Sequence, residues 1–304
     1  MLTIFAIPKA FEGPVAIIQR NAIRSWCSLR PACEIILFGD DAGTADVASE
    51  FNIRHVPVVE RNKYGTPLVN ALFAAAQRIA SHSMLCYVNA DIILMTDFMR
   101  AVAYGIKIMP DCLMICRRWD VSLNRQLDFR ADWEHDLGAY VARQGRRRPH
   151  TAIDCFVFSR GLWTDIPPFA MGRGMWDNWL IYKARANRRP VIDLSDVVLV
   201  VHQNHDYAHQ VHGVRREAEM WSTEEAKCNL AIGGGYAHAF STYDATHRLT
   251  SRGLKRNITP YHLYRALALL ARSRPFVAPL VDVMRYAYSR YNAMRRLCVG
   301  RTRH

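Results

Sequence analysis

Three short stretches place carboxylates and imidazoles where they could act on a charged ligand. Tyr87-Val88-Asn89-Ala90-Asp91-Ile92-Ile93 is an apolar run interrupted by an amide and a carboxylate. In an open α/β sheet ligands collect at the carboxyl ends of strands, so Asp91 stands where a metal-bound pyrophosphate would be held. A divalent cation held against phosphates needs only one or two protein carboxylates, because the phosphates supply further oxygens. Asn89 adds no charge, but it can hydrogen-bond a ribose or orient the loop. An Asp that merely caps the turn after a strand gives the same pattern.

The second stretch is Gly172-Arg173-Gly174-Met175-Trp176-Asp177-Asn178-Trp179. Gly172 and Gly174 let the backbone approach a ligand closely, and Asp177 in a first helical turn is placed to act on a hydroxyl. The same Asp could serve only the helix dipole, with Trp176 and Trp179 as core. The third stretch, Val200-Val201-His202-Gln203-Asn204-His205-Asp206, continues to His209 and His212. Imidazole suits transition metals and carboxylate suits hard cations, so His202 or His205 could complete a Mn²⁺ or Mg²⁺ site begun at Asp91. Asp154, a lone carboxylate leading into an apolar strand, sits where a charge needs a reason.

The elements that must position these groups follow from apolar periodicity. Short strands alternate with helices through the first two hundred residues, the pattern of a mostly parallel sheet covered by helices. Strands are expected at 2–7, 34–38, 53–56, 84–88, 113–116, 152–158, 190–193 and 197–202. Helices are expected at 15–29, 67–80, 98–106 and 176–186. In Asn62-Lys63-Tyr64-Gly65-Thr66-Pro67 the Gly-Thr-Pro start offers a contact to uridine or phosphate, with Lys63 beside it, although ordinary capping explains Thr66-Pro67 equally well. From about 204 to 253 the pattern loosens, as in a lid or substrate-facing region.

Charge is unevenly placed. The chain of 304 residues carries net +13, yet residues 251–304 hold twelve Lys/Arg against Asp282 alone, leaving the first 250 residues at +2. Basicity confined to a tail argues against nucleic acid as the ligand. The final helix gathers Leu280, Val283, Met284, Ala287, Tyr288, Tyr291, Met294 and Leu297 into a stripe among arginines. Such a helix could lie on anionic membrane, or dock on the catalytic body or on a second copy in a homo-oligomer. Arg117-Arg118 and Arg146-Arg147-Arg148 read as solvated charge runs. Eight scattered cysteines, mostly in apolar runs, read as reduced. With no long apolar run and no basic leader, the expected location is cytoplasmic, with peripheral membrane attachment through the tail.

Taken in order, Asn89-Ala90-Asp91, Gly172 to Gly174, Asp177 and His202 or His205 resemble the core of GT-A glycosyltransferases, nucleotide-diphospho-sugar transferases with a Rossmann-like sheet. There a DxD element is followed by a glycine-containing loop, an acidic residue on a helix and a metal-binding His; Asn89 departs from the first Asp. The resemblance implies a catalytic domain over 1–210, with 211–258 as an acceptor-side or lid segment and 259–304 as a basic helical tail. It implies a nucleotide-sugar donor, a UDP-sugar first among them, bound by Asn89, Asp91, Lys63, Gly172 and Gly174. It also implies Mn²⁺ or Mg²⁺ at Asp91 with His202 or His205, and catalysis by Asp177 and Asp154 on an unspecified acceptor hydroxyl. The rivals are a zinc hydrolase built on the 202–212 histidines and a non-catalytic membrane-binding module. A sugar nucleotidyltransferase would need a glycine-rich loop after the first strand, and Ile7-Pro8-Lys9-Ala10-Phe11 is not one.

Overall fold

A computed structural model describes residues 2–123, 125–205 and 222–300, with the backbone alone at 273 and 291–300. His209 and His212 lie outside the described residues, as does Asp206. The strands run in chain order as β1 (Leu2–Ala6), β2 (Glu34–Phe38), β3 (Arg54–Val56), β4 (Met84–Val88), β5 (Ile92–Ile93), β6 (Leu113–Ile115) and β7 (Arg118–Val121). They continue as β8 (Arg146–Arg147), β9 (Cys155–Ser159), β10 (Val191–Asp193), β11 (Val200–Gln203), β12 (His247–Thr250) and β13 (Gly253–Arg256). A nine-stranded sheet has the order β13-β12-β10-β6-β9-β4-β1-β2-β3, and a four-stranded sheet has the order β5-β11-β7-β8. Within the large sheet β9 is antiparallel to β4 and β6, and β13 is antiparallel to β12, while the other pairs are parallel. The expected mostly parallel α/β architecture is what forms.

The central strands are apolar on both faces because each face meets a layer of helices. Ile4, Cys86 and Val157 point into one core, shared with Ala22, Ile23 and Trp26 of α1 (Gly13–Ser28) and with Val47 of α2 (Thr44–Glu50). Phe5, Leu85, Tyr87 and Phe156 point into the other, shared with Leu72 and Phe73 of α3 (Val69–Ile79). The first core also takes Phe98 and Val102 of α4 (Thr96–Ile108). A smaller core joins Val121 and Val201 to Leu137 and Val141 of α5 (Trp133–Gln144). Trp176, Trp179 and Leu180 of α6 (Trp176–Ala186) close the second core.

Two expectations are corrected. Pro67 and Leu68 precede α3 instead of opening it: Pro67 bridges to Arg61 and Leu68 to Ala170, so these residues pin the loop that leads to Gly172. The sheet also does not end near residue 210. Residues 222–258, expected to be loop-rich, contain α7 (Glu224–Ile232) and the β12–β13 hairpin, which extends the large sheet beyond β10. Two further helices, α8 (Pro260–Ser273) and α9 (Ala278–Gly300), complete the described chain.

Candidate functional site

The small sheet assembles the site. Asp91 lies in the tight link between β4 and β5, whose N–H at Ile92 bonds the Asn89 carbonyl at 3.1 Å. Strand β11 pairs antiparallel with β5 and parallel with β7, placing His202 opposite Ile92 on one side and opposite Asp120 on the other. Gln203, fully buried, donates its backbone N–H and its side-chain amide to the Asp91 carbonyl, both at 3.2 Å. Its side-chain carbonyl accepts from Asn21 of α1 at 2.9 Å. The backbone at Asp91 is thus tied to two strands and a helix.

Two imidazoles converge on one carboxylate. His205 Nε2 lies 3.0 Å and His202 Nε2 3.5 Å from Asp91 Oδ2. The potential ligand atoms of the three side chains lie within 4.8 Å of one another. Asp91 Oδ1 is buried and has no hydrogen-bond partner among the described residues, which is costly unless something else satisfies it. Burial works against ionising Asp91, but His202 and His205 outweigh it and hold the carboxyl well below its ordinary range. Burial likewise disfavours a charged His202, yet Asp91 and Asp120 raise its pKa to about 9. His202 Nδ1 is 3.2 Å from Asp120 Oδ1, the arrangement by which a carboxylate fixes the tautomer and orientation of a metal-binding imidazole. One carboxylate and two imidazoles, held by strand ends, fit a borderline divalent cation.

A second group adjoins it. Asp154, just before β9, accepts from Asn89 Nδ2 at 2.7 Å on one oxygen and pairs with Arg118 Nη1 at 2.5 Å on the other. Arg118 Nε also lies 2.9 Å from Asp120. Burial penalises that guanidinium, and the two carboxylates more than restore its charge. Asn89 accepts from the Tyr87 hydroxyl at 2.7 Å, so both ends of its amide are engaged within the protein. It stands at the first position of the DxD-like element as a strut between Tyr87 and Asp154. Burial pushes the Tyr87 hydroxyl well above its ordinary pKa, and the charges of Asp154, Asp91 and Asp177 add to that. The charges of the three carboxylates expected from the sequence therefore all bear on one phenol.

Asp177 reaches this group through a bent approach. Gly172 has φ +70°, in the left-handed region, and the space a Cβ would take there is open, so a ligand can approach the backbone. Met175, buried and with φ +86°, turns the chain into α6. Such a conformation persists only where its surroundings impose it. Here Asn229 of α7 imposes it, donating to the carbonyls of Ala170, Arg173 and Gly174 at 3.0, 3.0 and 3.2 Å and accepting from Ala170 N at 2.9 Å. Arg173 pairs with Glu225 at 2.8 Å, and Glu225 accepts from Asn62 at 2.7 Å. Burial raises Asp177 to a pKa of about 7, and Asp154 adds to the effect against the opposing hydrogen bond from Asn178 N–H.

The structure thus gathers Asp91, His202, His205, Asp154, Asn89 and Asp177, while Lys63 is exposed with its ammonium 5.0 Å from the centre of its neighbour Tyr64's ring. Arg118 and Arg148, read from the sequence as parts of solvated charge runs, are instead largely withdrawn from water and paired with Asp154 and Asp120, and Asp120 itself was not singled out. The spacing of two between Arg118 and Asp120 along a strand, with both side chains on one face, was the available signal.

No family model and no curated protein matches the sequence. Among solved structures, S. aureus TarS 1–349 in complex with UDP-GlcNAc matches with a TM-score of 0.50 at 12% identity, covering 93% of this chain and 83% of that one. The chain has the GT-A fold. The mannosyltransferase PcManGT from Pyrobaculum calidifontis, in complex with GDP-Man and Mn²⁺, matches with a TM-score of 0.43 at 15% identity, covering 97% and 82% of the two chains. On the GT-A frame described above, Asp91 and His202 occupy the carboxyl-terminal end of β4 and the strand that follows the Asp177 helix and β10.

Proposed function

We propose that the protein is a metal-dependent glycosyltransferase that takes its sugar from a nucleoside-diphosphate sugar. The observation that carries this reading is the Asp91 carboxylate, flanked by two imidazoles and with its buried Oδ1 left without a partner among the described residues, at the strand end of a GT-A sheet. Asp91, His202 and His205 would hold the ion. Two nitrogen ligands favour Mn²⁺ over Mg²⁺, which prefers oxygen. Bound there, the metal supplies the positive charge that stabilises a departing nucleoside diphosphate.

The chain's own residues divide the remaining work. Asp177 is the general base that takes the proton from the acceptor hydroxyl, since a carboxyl poised near pH 7 matches that task. Asp154 has both oxygens committed, to Asn89 and Arg118, and so positions the site without reacting. With Asp154 committed, Asp177 is the available base among the described residues, and this supports inversion at the anomeric carbon. Residues 222–258 form the acceptor side, because Glu225 and Asn229 hold the Gly172 loop. The zinc-hydrolase alternative needs the 202–212 histidines on one helical face, whereas His202 belongs to strand β11. The donor is best sought first among UDP-sugars.

The test is thermal stabilisation of the full chain by a panel of sugar nucleotides with and without Mn²⁺. A matched pair of sugar nucleotide and Mn²⁺ should raise the melting temperature more than either alone, and Asp91→Ala should abolish the gain. Donor turnover by Asp91→Ala at the wild-type rate would overturn the reading.

A further inference from the structure

Among the described residues the stripe expected on the last helix is divided between two of its sides, and the side chains of Tyr291, Met294 and Leu297 lie outside the described residues. Helix α8 is anchored to the catalytic body: Tyr261 donates to Asp244 Oδ1 at 2.8 Å, and Arg265 Nε pairs with the same oxygen at 2.6 Å. The Arg265 guanidinium also sits 3.8 Å from the centre of the Phe240 ring. Helix α9 then folds back on α8, with the Tyr288 ring 5.3 Å from Tyr261 and stacked on Tyr264. That packing turns Met284 and Tyr288 inward. The opposite side is left uncovered among the described residues: Phe276 is 77%, Leu280 55%, Val283 63% and Tyr286 67% exposed. Val283, Tyr286 and Arg290 follow at i, i+3 and i+7 and so share one face, with Arg274 exposed before it and Arg285 on the helix flank, paired with Asp282 at 2.6 Å.

We propose that this outer face of α9, with the Phe276 turn before it, binds the surface of an anionic membrane. Four large apolar side chains in water are costly to a soluble chain unless something covers them. Charge decides what covers them. Residues 251–304 carry twelve basic side chains against one acidic one, so a second copy of the same face would bring like charges together, whereas an anionic lipid surface neutralises them. The geometry suits lying on the bilayer: the apolar side chains can enter the acyl boundary while the arginines stay among the headgroups. No helix of the described residues is long and apolar enough to cross a membrane. The proposal stands on the tail alone and does not depend on the glycosyl-transfer reading.

The experiment is flotation of the full-length protein with vesicles of phosphatidylcholine alone or with phosphatidylglycerol added, at low and high salt. Two variants accompany it, Leu280→Asp with Val283→Asp, and Arg274→Gln with Arg285→Gln and Arg290→Gln. Circular dichroism and Mn²⁺ binding report on the fold of each, because neither variant touches the catalytic body. The wild type should float with the anionic vesicles only, less so at high salt. The arginine variant should partition about a hundredfold more weakly, from the loss of three charges at the surface. The aspartate variant should lose flotation. Absence of flotation, or flotation unchanged in both variants, overturns the proposal. So does a dimer in light scattering that the aspartate variant dissociates, which would make the face a subunit interface.

Discussion

His202 and Asp120 stand opposite each other in neighbouring parallel strands, with His202 Nδ1 3.2 Å from Asp120 Oδ1 and the other ring nitrogen turned to Asp91. The carboxylate therefore sets a negative charge against Nδ1 and leaves Nε2 as the nitrogen that faces Asp91. Asp120→Asn keeps the shape and removes the charge that fixes the ring. Mn²⁺ affinity should fall about 10- to 100-fold. Titration followed by the Mn²⁺ paramagnetic resonance signal reads this directly. Unchanged affinity would mean that the ring is oriented by its strand alone.

Asp177 makes the pH dependence of activity and of stability run in opposite directions. Its carboxyl titrates near 7 in the folded chain against an ordinary value of 3.8. As a general base it works only when ionised, so the rate should drop about tenfold per unit below pH 7. For stability, the folded state holds the proton more tightly than the unfolded chain does. The resulting contribution is complete below about pH 4 and is lost as pH rises through about 7. Asp177→Asn should abolish turnover and flatten that part of the stability profile, leaving donor and Mn²⁺ binding intact. An Asn variant that still turns over at a pH-dependent rate would move the base elsewhere.

Arg118 is the cation shared by Asp154 and Asp120, and all three side chains are nearly out of water. Arg118→Met keeps the volume but leaves the Asp154 carboxylate without its counter-charge, while Asp120 keeps Arg148 at 3.3 Å and His202. Breaking such a pair from one side costs about 3–5 kcal/mol. Urea unfolding should show the loss, and the double variant with Asp154→Asn should recover part of it because the buried charge is removed too. Equal losses in the single and double variants would show that the pair is not coupled.

How far this was legible in the sequence depends on the strand. Asp91 and His202 follow or close buried apolar runs, Met84–Val88 and Val200–Gln203, and such runs announce both the strand and its end. The helix bearing Asp177 was legible over its whole length, 176–186, because its apolar residues recur at helical spacing. Arg118-Trp119-Asp120-Val121 was not, since a four-residue strand with two charges has the composition of a solvated turn. Only the burial of the small sheet makes those charges meet. The β12–β13 hairpin was hidden for a related reason: it lies at the edge of the sheet, where one strand face stays polar. Asn89 was placed correctly at the strand end, but its partners, Tyr87 and Asp154, come from two residues back in the chain and from sixty-five residues ahead.

Asn229 tests whether the loop before Asp177 is held or merely settles. Its buried amide spends two hydrogens on the carbonyls of Ala170, Arg173 and Gly174, and its oxygen accepts from Ala170 N. Asn229→Ala leaves these backbone groups unpaired, at a cost of about 1–3 kcal/mol. Asn229→Asp should be worse despite its closer shape, because an ionised carboxylate would face three carbonyl oxygens with no hydrogen to offer. Thermal unfolding should therefore rank wild type above Ala and Ala above Asp. Because Met175 keeps its left-handed backbone only while the loop is tied, both variants should also lower kcat more than they raise the KM for donor. A ranking with Asp above Ala would mean that the carbonyls find other donors, and that the approach to Asp177 does not depend on α7.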